Sequence, residues 1–184
     1  QAARRLAKEK PVIISIGGMA ASGGYYLASA GDYIFADPAA IIGSIGVVGG
    51  KFVLKDLYDK LGLTTEEFSK GANAGLYSTS KVWDEKQRSL VRKSMALVYD
   101  QFTDRVMTTR AGKIADIDQV ARGRIFLAPE AKSLGMVDEL GGLERAIAHA
   151  ASKASLESDK YEILTLPAPK TLADLIEGSR TELA

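Results

Sequence analysis

Residues 11–37 read PVIISIGGMAASGGYYLASAGDYIFAD, and this stretch decides the fold. PVIISI (11–16) is a β-branched run bounded by Pro11 and Gly17, a pattern that predicts a buried strand. SGGYYLASAG (22–31) predicts a helix, with Ser22 a preferred N-cap and Gly31 a natural stop. DYIFAD (32–37) predicts a second short strand, closed by the Asp37–Pro38 turn. Strand, helix and strand in quick succession point to a layered α/β domain. One hydroxyl stands out. Ser22 sits where strand gives way to helix, either as a helix cap or as a nucleophile.

Working outward, IIGSIGVVGG (41–50) predicts a turn plus strand, and FVLKDLYDKLG (52–62) a helix stopped by Gly62. TTEEFS (64–69) predicts a strand, and KGANAGLYSTS (70–80) a small, polar loop. Asp84 and Gln87 have capping-box spacing, and Val91, Met95, Val98, Phe102 and Val106 repeat at helical intervals, which predicts a long helix from about 84 to 111. DIDQVARG, APEAKSLG and GGLERAIAHAASKA predict further helices, RIFL a short extended piece and YEILTL (161–166) a last strand. The tail from 167 to 184 is weakly determined, with a helix expected at TLADLIEG. No repeat or linker divides the chain, so residues 1–184 are read as one α/β domain. QAARRLAKEK at the start has no initiator Met and reads as the end of a helix, so an upstream part is expected.

Composition narrows the chemistry. Of 184 residues 46% are hydrophobic and 26% charged, and the net charge is +1, a globular balance that does not suggest nucleic acid or an anionic membrane as the main partner. Zero cysteines exclude a thiol nucleophile, and a single histidine, His149, excludes a multi-histidine metal site; no cofactor is expected. No apolar run approaches the roughly 20 residues of a membrane-spanning helix.

A serine between a strand and a helix has free N–H groups beside it, and the following glycines let a substrate backbone come close. The Gly23 N–H then becomes an oxyanion donor. A cap serves the same residues equally well. Ser22 needs a base, and none is evident nearby: His149 lies within an alanine-rich helix, which suits packing. A desolvated lysine is the remaining candidate type.

Three ordered stretches, MAASGGYYLASAGDYIFADP, IIGSIGVVG and ARGRIFLAPEAKSLGMVDELGGLERAI, together resemble the protease IV family, the signal peptide peptidase A group of serine peptidases. The resemblance runs from about Pro11 to Ala148 and implies a Clp-protease/crotonase-like α/β fold and peptide hydrolysis by a Ser–Lys dyad. It implies Ser22 as nucleophile, Ser44 as the residue that orients the lysine, and Gly23 as an oxyanion donor. Ile42 stands where threonine is usual. Met19, Ala20, Ile41 and Ile42 suit small or hydrophobic substrate side chains, and are also ordinary core residues.

One departure matters. Single-domain members keep the lysine in the loop that corresponds to 70–80, and here Ala74 takes its place, with Lys70 and Lys81 to either side. Tandem members divide the dyad between halves, so the chain resembles the serine-bearing C-terminal half, with the lysine supplied from outside it. The resemblance further implies peptide substrates, the upstream half of the same protein as partner, and a ring- or bowl-like homo-oligomer, a tetramer for a tandem member. It implies a membrane-associated whole protein, in a bacterial inner membrane or a thylakoid, with membrane contact through parts outside this chain and this segment soluble. Two rivals stand beside it: a pseudopeptidase scaffold, and a crotonase-type acyl-CoA enzyme, which predicts acidic catalytic residues near the oxyanion hole.

Overall fold

The structure, a computed structural model, describes residues 2–157 and 160–167. The elements in chain order are α1 (Ala2–Leu6), β1 (Ile13–Ile16), β2 (Met19–Ala21), α2 (Gly23–Ala28), β3 (Tyr33–Ala36) and β4 (Ile41–Gly43). They continue with α3 (Lys55–Lys60), α4 (Glu85–Thr109), α5 (Ile117–Val120), β5 (Ile125–Leu127), α6 (Ala128–Ser133), β6 (Glu139–Leu140) and α7 (Leu143–Lys153). The chain is mixed α/β, as its opening pattern predicts.

Two small sheets organise it. In the first, β1 pairs in parallel with β3 from Ile13↔Tyr33 to Ile16↔Ala36, and β3 pairs in parallel with β6. In the second, β2 pairs in parallel with β4, and β4 pairs antiparallel with β5. The strand pattern of the sequence shows β1 and β3 clearly. It hides β2 and β6, which have three and two residues and no room for a period.

Apolar burial explains the packing. Tyr25, Ile34, Ala36, Ile42, Ile45, Val106 and Met136 are fully enclosed in one cluster that takes in both sheets and α4. The capping box at the start of α4 forms as expected: the Asp84 side chain accepts from the Gln87 N–H, and the Gln87 side chain accepts from the Asp84 N–H. Of the expected apolar stripe, Val91, Phe102 and Val106 are buried, while Val98 stays 48% exposed.

A charged residue sits in this core. Arg110, 1% exposed, donates from Nη1 and Nη2 to both Asp138 carboxylate oxygens and from Nε and Nη2 to the Gly135 carbonyl. Asp138 also accepts from Lys113 Nζ at 2.6 Å and from the Ile34 N–H at 2.8 Å. Burial pushes the Asp138 carboxyl up, but the hydrogen bonds of Arg110 and Lys113 and the Arg110 charge outweigh it and hold it below the usual carboxylate range. Gly135 takes φ +78°, and a Cβ there would lie 1.9 Å from the Lys113 carbonyl oxygen, so only glycine fits this turn. Tyr25 donates its hydroxyl to the Met136 carbonyl at 3.0 Å, and burial pushes that phenol up, keeping it a donor.

Two expected strands are absent. Residues 64–69 and 161–166 form no ladder. A strand needs a partner for its N–H and C=O groups. Neither segment has one among the described residues, and Phe68, Ile163 and Leu164 stay exposed. The helix expected at 171–178 lies outside the described residues.

Replacing Asp138 by asparagine tests this core. The variant leaves a buried guanidinium without its counter-charge, so it should lose about 3–5 kcal/mol at neutral pH in urea unfolding. The wild-type carboxylate is stabilised on folding, so its contribution is complete above about pH 4 and fades as pH falls through the lowered folded value. Unfolding midpoints from pH 6 to pH 2 should therefore fall more steeply for wild type than for Asp138→Asn.

Candidate active site

The β2–β4 ladder runs Met19↔Ile41, Ala20↔Ile42 and Ala21↔Gly43, and it ends where the Ser22 N–H donates to the Gly43 carbonyl at 2.8 Å. At Ser22 the backbone turns sharply, with φ 50° and ψ −118°, a conformation costly for any residue with a Cβ. Ser22 occupies the cap position of α2, and its carbonyl accepts the first helical bond, from the Tyr26 N–H. Its hydroxyl makes no capping bond. The sequence supports a cap and a nucleophile alike; the structure leaves Oγ without a capping role. Above Gly23 and Gly24 the space is open, since a Cβ on either would meet nothing within 4 Å.

Ser22 opens onto a cleft of about 890 Å³ that Gly23 and Ser44 also line. Ser44 reaches it because Gly43 and Ser44 take φ 118° and 51°, while the Ser44 N–H donates to the Arg124 carbonyl at 2.6 Å. Side chains at 43 are excluded, because a Cβ would come within 2.7 Å of that same carbonyl. Of the four non-glycine residues with positive φ among those described, Ser22, Ser44 and Arg122 line this one cleft. Backbone strain gathers here.

Val47, Val48, Val98, Tyr26, Tyr99 and Phe102 form the apolar wall, with Tyr26 and Phe102 edge-to-face at 5.2 Å. The sequence did not mark Val98 and Phe102 as a site because helical spacing on α4 reads first as core. Met19 is 65% exposed on β2, while Ala20 and Ile42 are buried opposite each other in the ladder. Ile41 is half-buried, and none of these four lines the cleft.

The bases considered from sequence lie elsewhere. His149 stacks on Tyr33 at 4.2 Å and packs against Phe35, away from the cleft lining. Lys70, Ala74 and Lys81 are exposed and do not line it. Its charged residues are Asp118 and Arg122, paired with each other at 2.5 Å. Asp118 is an acidic group at the site that sequence reasoning passed over, and its carboxylate is held by Arg122. Lys51 was also missed: its Nζ is buried without a hydrogen-bond partner among the described residues, 5.5 Å from the centre of the Trp83 ring. Among the described residues no acidic, histidine or cysteine group could hold a metal, and no helix is long and apolar enough to cross a membrane.

The pattern of peptidase family S49 matches residues 4–157. The chain is 38% identical over 176 residues to the chloroplastic serine protease SPPA of Arabidopsis thaliana, covering 94% of this chain and 26% of that protein. It is 31% identical over 172 residues to Protease 4 of Salmonella typhi, covering 94% and 27%. The chain thus spans about a quarter of the length of these two relatives. Among solved structures, a member of the enoyl-CoA hydratase/isomerase family from Hyphomonas neptunium aligns with 94% of this chain and 54% of its own, at 23% identity and a TM-score of 0.40.

The strained turn makes a direct prediction. With no capping bond to lose, Ser22→Ala should change stability by less than about 0.5 kcal/mol, short of the roughly 1 kcal/mol a true cap contributes. Ser22→Gly should stabilise the chain by about 1 kcal/mol, because glycine accepts this φ and ψ without strain. Chemical unfolding of the three proteins checks both.

Proposed function

The chain belongs to peptidase family S49, and from that membership we propose that it is the serine-bearing domain of a peptidase that cleaves extended hydrophobic peptides, with Ser22 as nucleophile. The observation that carries this reading is the strained strand-to-helix turn at Ser22, which holds an uncapped hydroxyl at the mouth of an apolar cleft. Strain of this kind persists where a side chain must project into a site.

In this mechanism a lysine amine takes the Ser22 hydroxyl proton as Oγ attacks the scissile carbonyl. The carbonyl oxygen gains the charge and is held by the Gly23 N–H, one of the first-turn groups without a partner inside α2. The amine leaves with the proton, and water then attacks the acyl ester, giving its proton to the same base and freeing Ser22. Ser44, on the same cleft, orients the lysine. Tyr26, Val98 and Phe102 receive the apolar substrate side chain.

No lysine lines the cleft among the described residues, which supports a base supplied from outside the chain. The neighbour that brings it would cover exposed apolar surface such as Val48 of the cleft wall, which is 97% exposed. That neighbour is the upstream half of the same protein or a second subunit of a homo-oligomer. The same lack of lysine favours a second reading, an inactive scaffold domain.

A fluorophosphonate probe separates them. The chain alone should label at Ser22 at least tenfold more slowly than the full-length protein, because serine without a base is a poor nucleophile. In the full-length protein, Ser22→Ala should lower kcat by several orders of magnitude. A full-length protein that neither labels nor cleaves is a scaffold. Cleavage by the isolated chain, abolished by Lys51→Ala, Lys70→Ala or Lys81→Ala, places the base within it.

Ser44→Ala in the full-length protein should retain reduced activity and shift the basic limb of the kcat profile against pH, the sign of a mispositioned lysine. An unchanged profile at full activity leaves Ser44 as a turn residue only.

A further inference from the structure

A second depression, of about 850 Å³, lies between α1, the 30–32 turn and the C-terminal part of α4. Arg4, Arg5, Lys8, Arg105 and Lys113 line it, against a single carboxylate, Asp32. The whole chain carries a net charge of only +1, so this is a local gathering of cations and not a reflection of a basic protein. The one carboxylate is already engaged, since Asp32 Oδ2 accepts the Val12 N–H at 2.8 Å. Lys113 shares Asp138 with Arg110, so that carboxylate already answers two cations. Arg4, Arg5, Lys8 and Arg105 are in no ion pair among the described residues.

Uncompensated cations around one concavity repel each other, and an anion with several oxygens relieves them all at once. Guanidinium forks match the oxygens of phosphate, with lysine adding point charge. No aromatic side chain lines the depression, so nothing there would stack a nucleobase. We propose that this depression is a binding site for a phosphate ester, either a free phosphorylated compound or the headgroup of an anionic lipid. It adjoins the Ser22 cleft through one side chain: Arg105 lies over the ring of Tyr26 at 6.0 Å, and Tyr26 lines that cleft. The inference does not depend on the peptidase reading, because binding is measured without turnover.

The test is binding by the full chain to free glycerol phosphate, read as a rise in melting temperature, and to vesicles of phosphatidylcholine with and without phosphatidylglycerol, read by sedimentation. Stabilisation by glycerol phosphate without sedimentation identifies a free compound as the ligand. Sedimentation only with the anionic vesicles identifies the headgroup, and the bound fraction should fall when sodium chloride is raised to about 0.5 M. In either case Arg4→Gln/Lys8→Gln and, separately, Arg105→Gln should weaken binding at least tenfold. Arg92→Gln, an exposed charge on α4 outside the depression, should change it less than twofold. Equal binding to neutral vesicles, equal loss in Arg92→Gln, binding kept by both depression variants, or no binding to either ligand overturns the proposal.

Discussion

The contact between Arg110 and Asp138 is the buried ionic link on which the placement of several elements depends. A guanidinium in an apolar core is tolerated only when its donors are satisfied, and Arg110 satisfies them with the carboxylate of Asp138 and the carbonyl of Gly135. That joins the end of α4 to the 135–138 turn. Asp138 in turn accepts from Ile34 in β3, so the sheet is tied to the same point. Tyr25 bonds to Met136 within that turn, which fixes α2 and with it the position of Ser22. The turn at Ser22 inherits its placement from an ion pair formed by other elements.

The turn itself runs against local preference. Ser22, Ser44 and Arg122 all hold left-handed φ values that a Cβ makes unfavourable. They are kept there by the surrounding ladder: Ser22 N–H to Gly43, Ser44 N–H to Arg124, Gly123 N–H to Ile45. Each bond crosses between segments far apart in sequence. Strain at the cleft is thus held by long-range pairing, which no local propensity could supply.

This explains what the sequence could and could not reveal. β1, β3 and α4 were legible because their periods and caps are local: PVIISI, DYIFAD, and the Asp84–Gln87 box. β2 and β6 were not, because segments of three and two residues become strands only when a partner selects them. TTEEFS and YEILTL show the converse, segments expected as strands that have no partner among the described residues. The position of Ser22 between strand and helix was readable, but the choice between cap and free hydroxyl rested on its φ and ψ. The cleft wall was hidden for a different reason. Val98 and Phe102 share one helical stripe, yet Phe102 is buried and Val98 is half exposed over the cleft, and only packing separates them.

The stretch from 64 to 70 has one further consequence. It belongs to no element and takes part in no backbone hydrogen bond among the described residues, and its side-chain hydrogen bonds join Thr65 to Ser80 and Glu67 to Ser78. Opening it breaks no core contact of the buried cluster, so its amide protons should exchange with solvent far faster than those of β3, which lie in a ladder. A nick by a foreign protease at this stretch would leave two fragments still bound through the buried cluster. The molecule therefore has a soft margin whose melting is invisible to any probe placed in its interior.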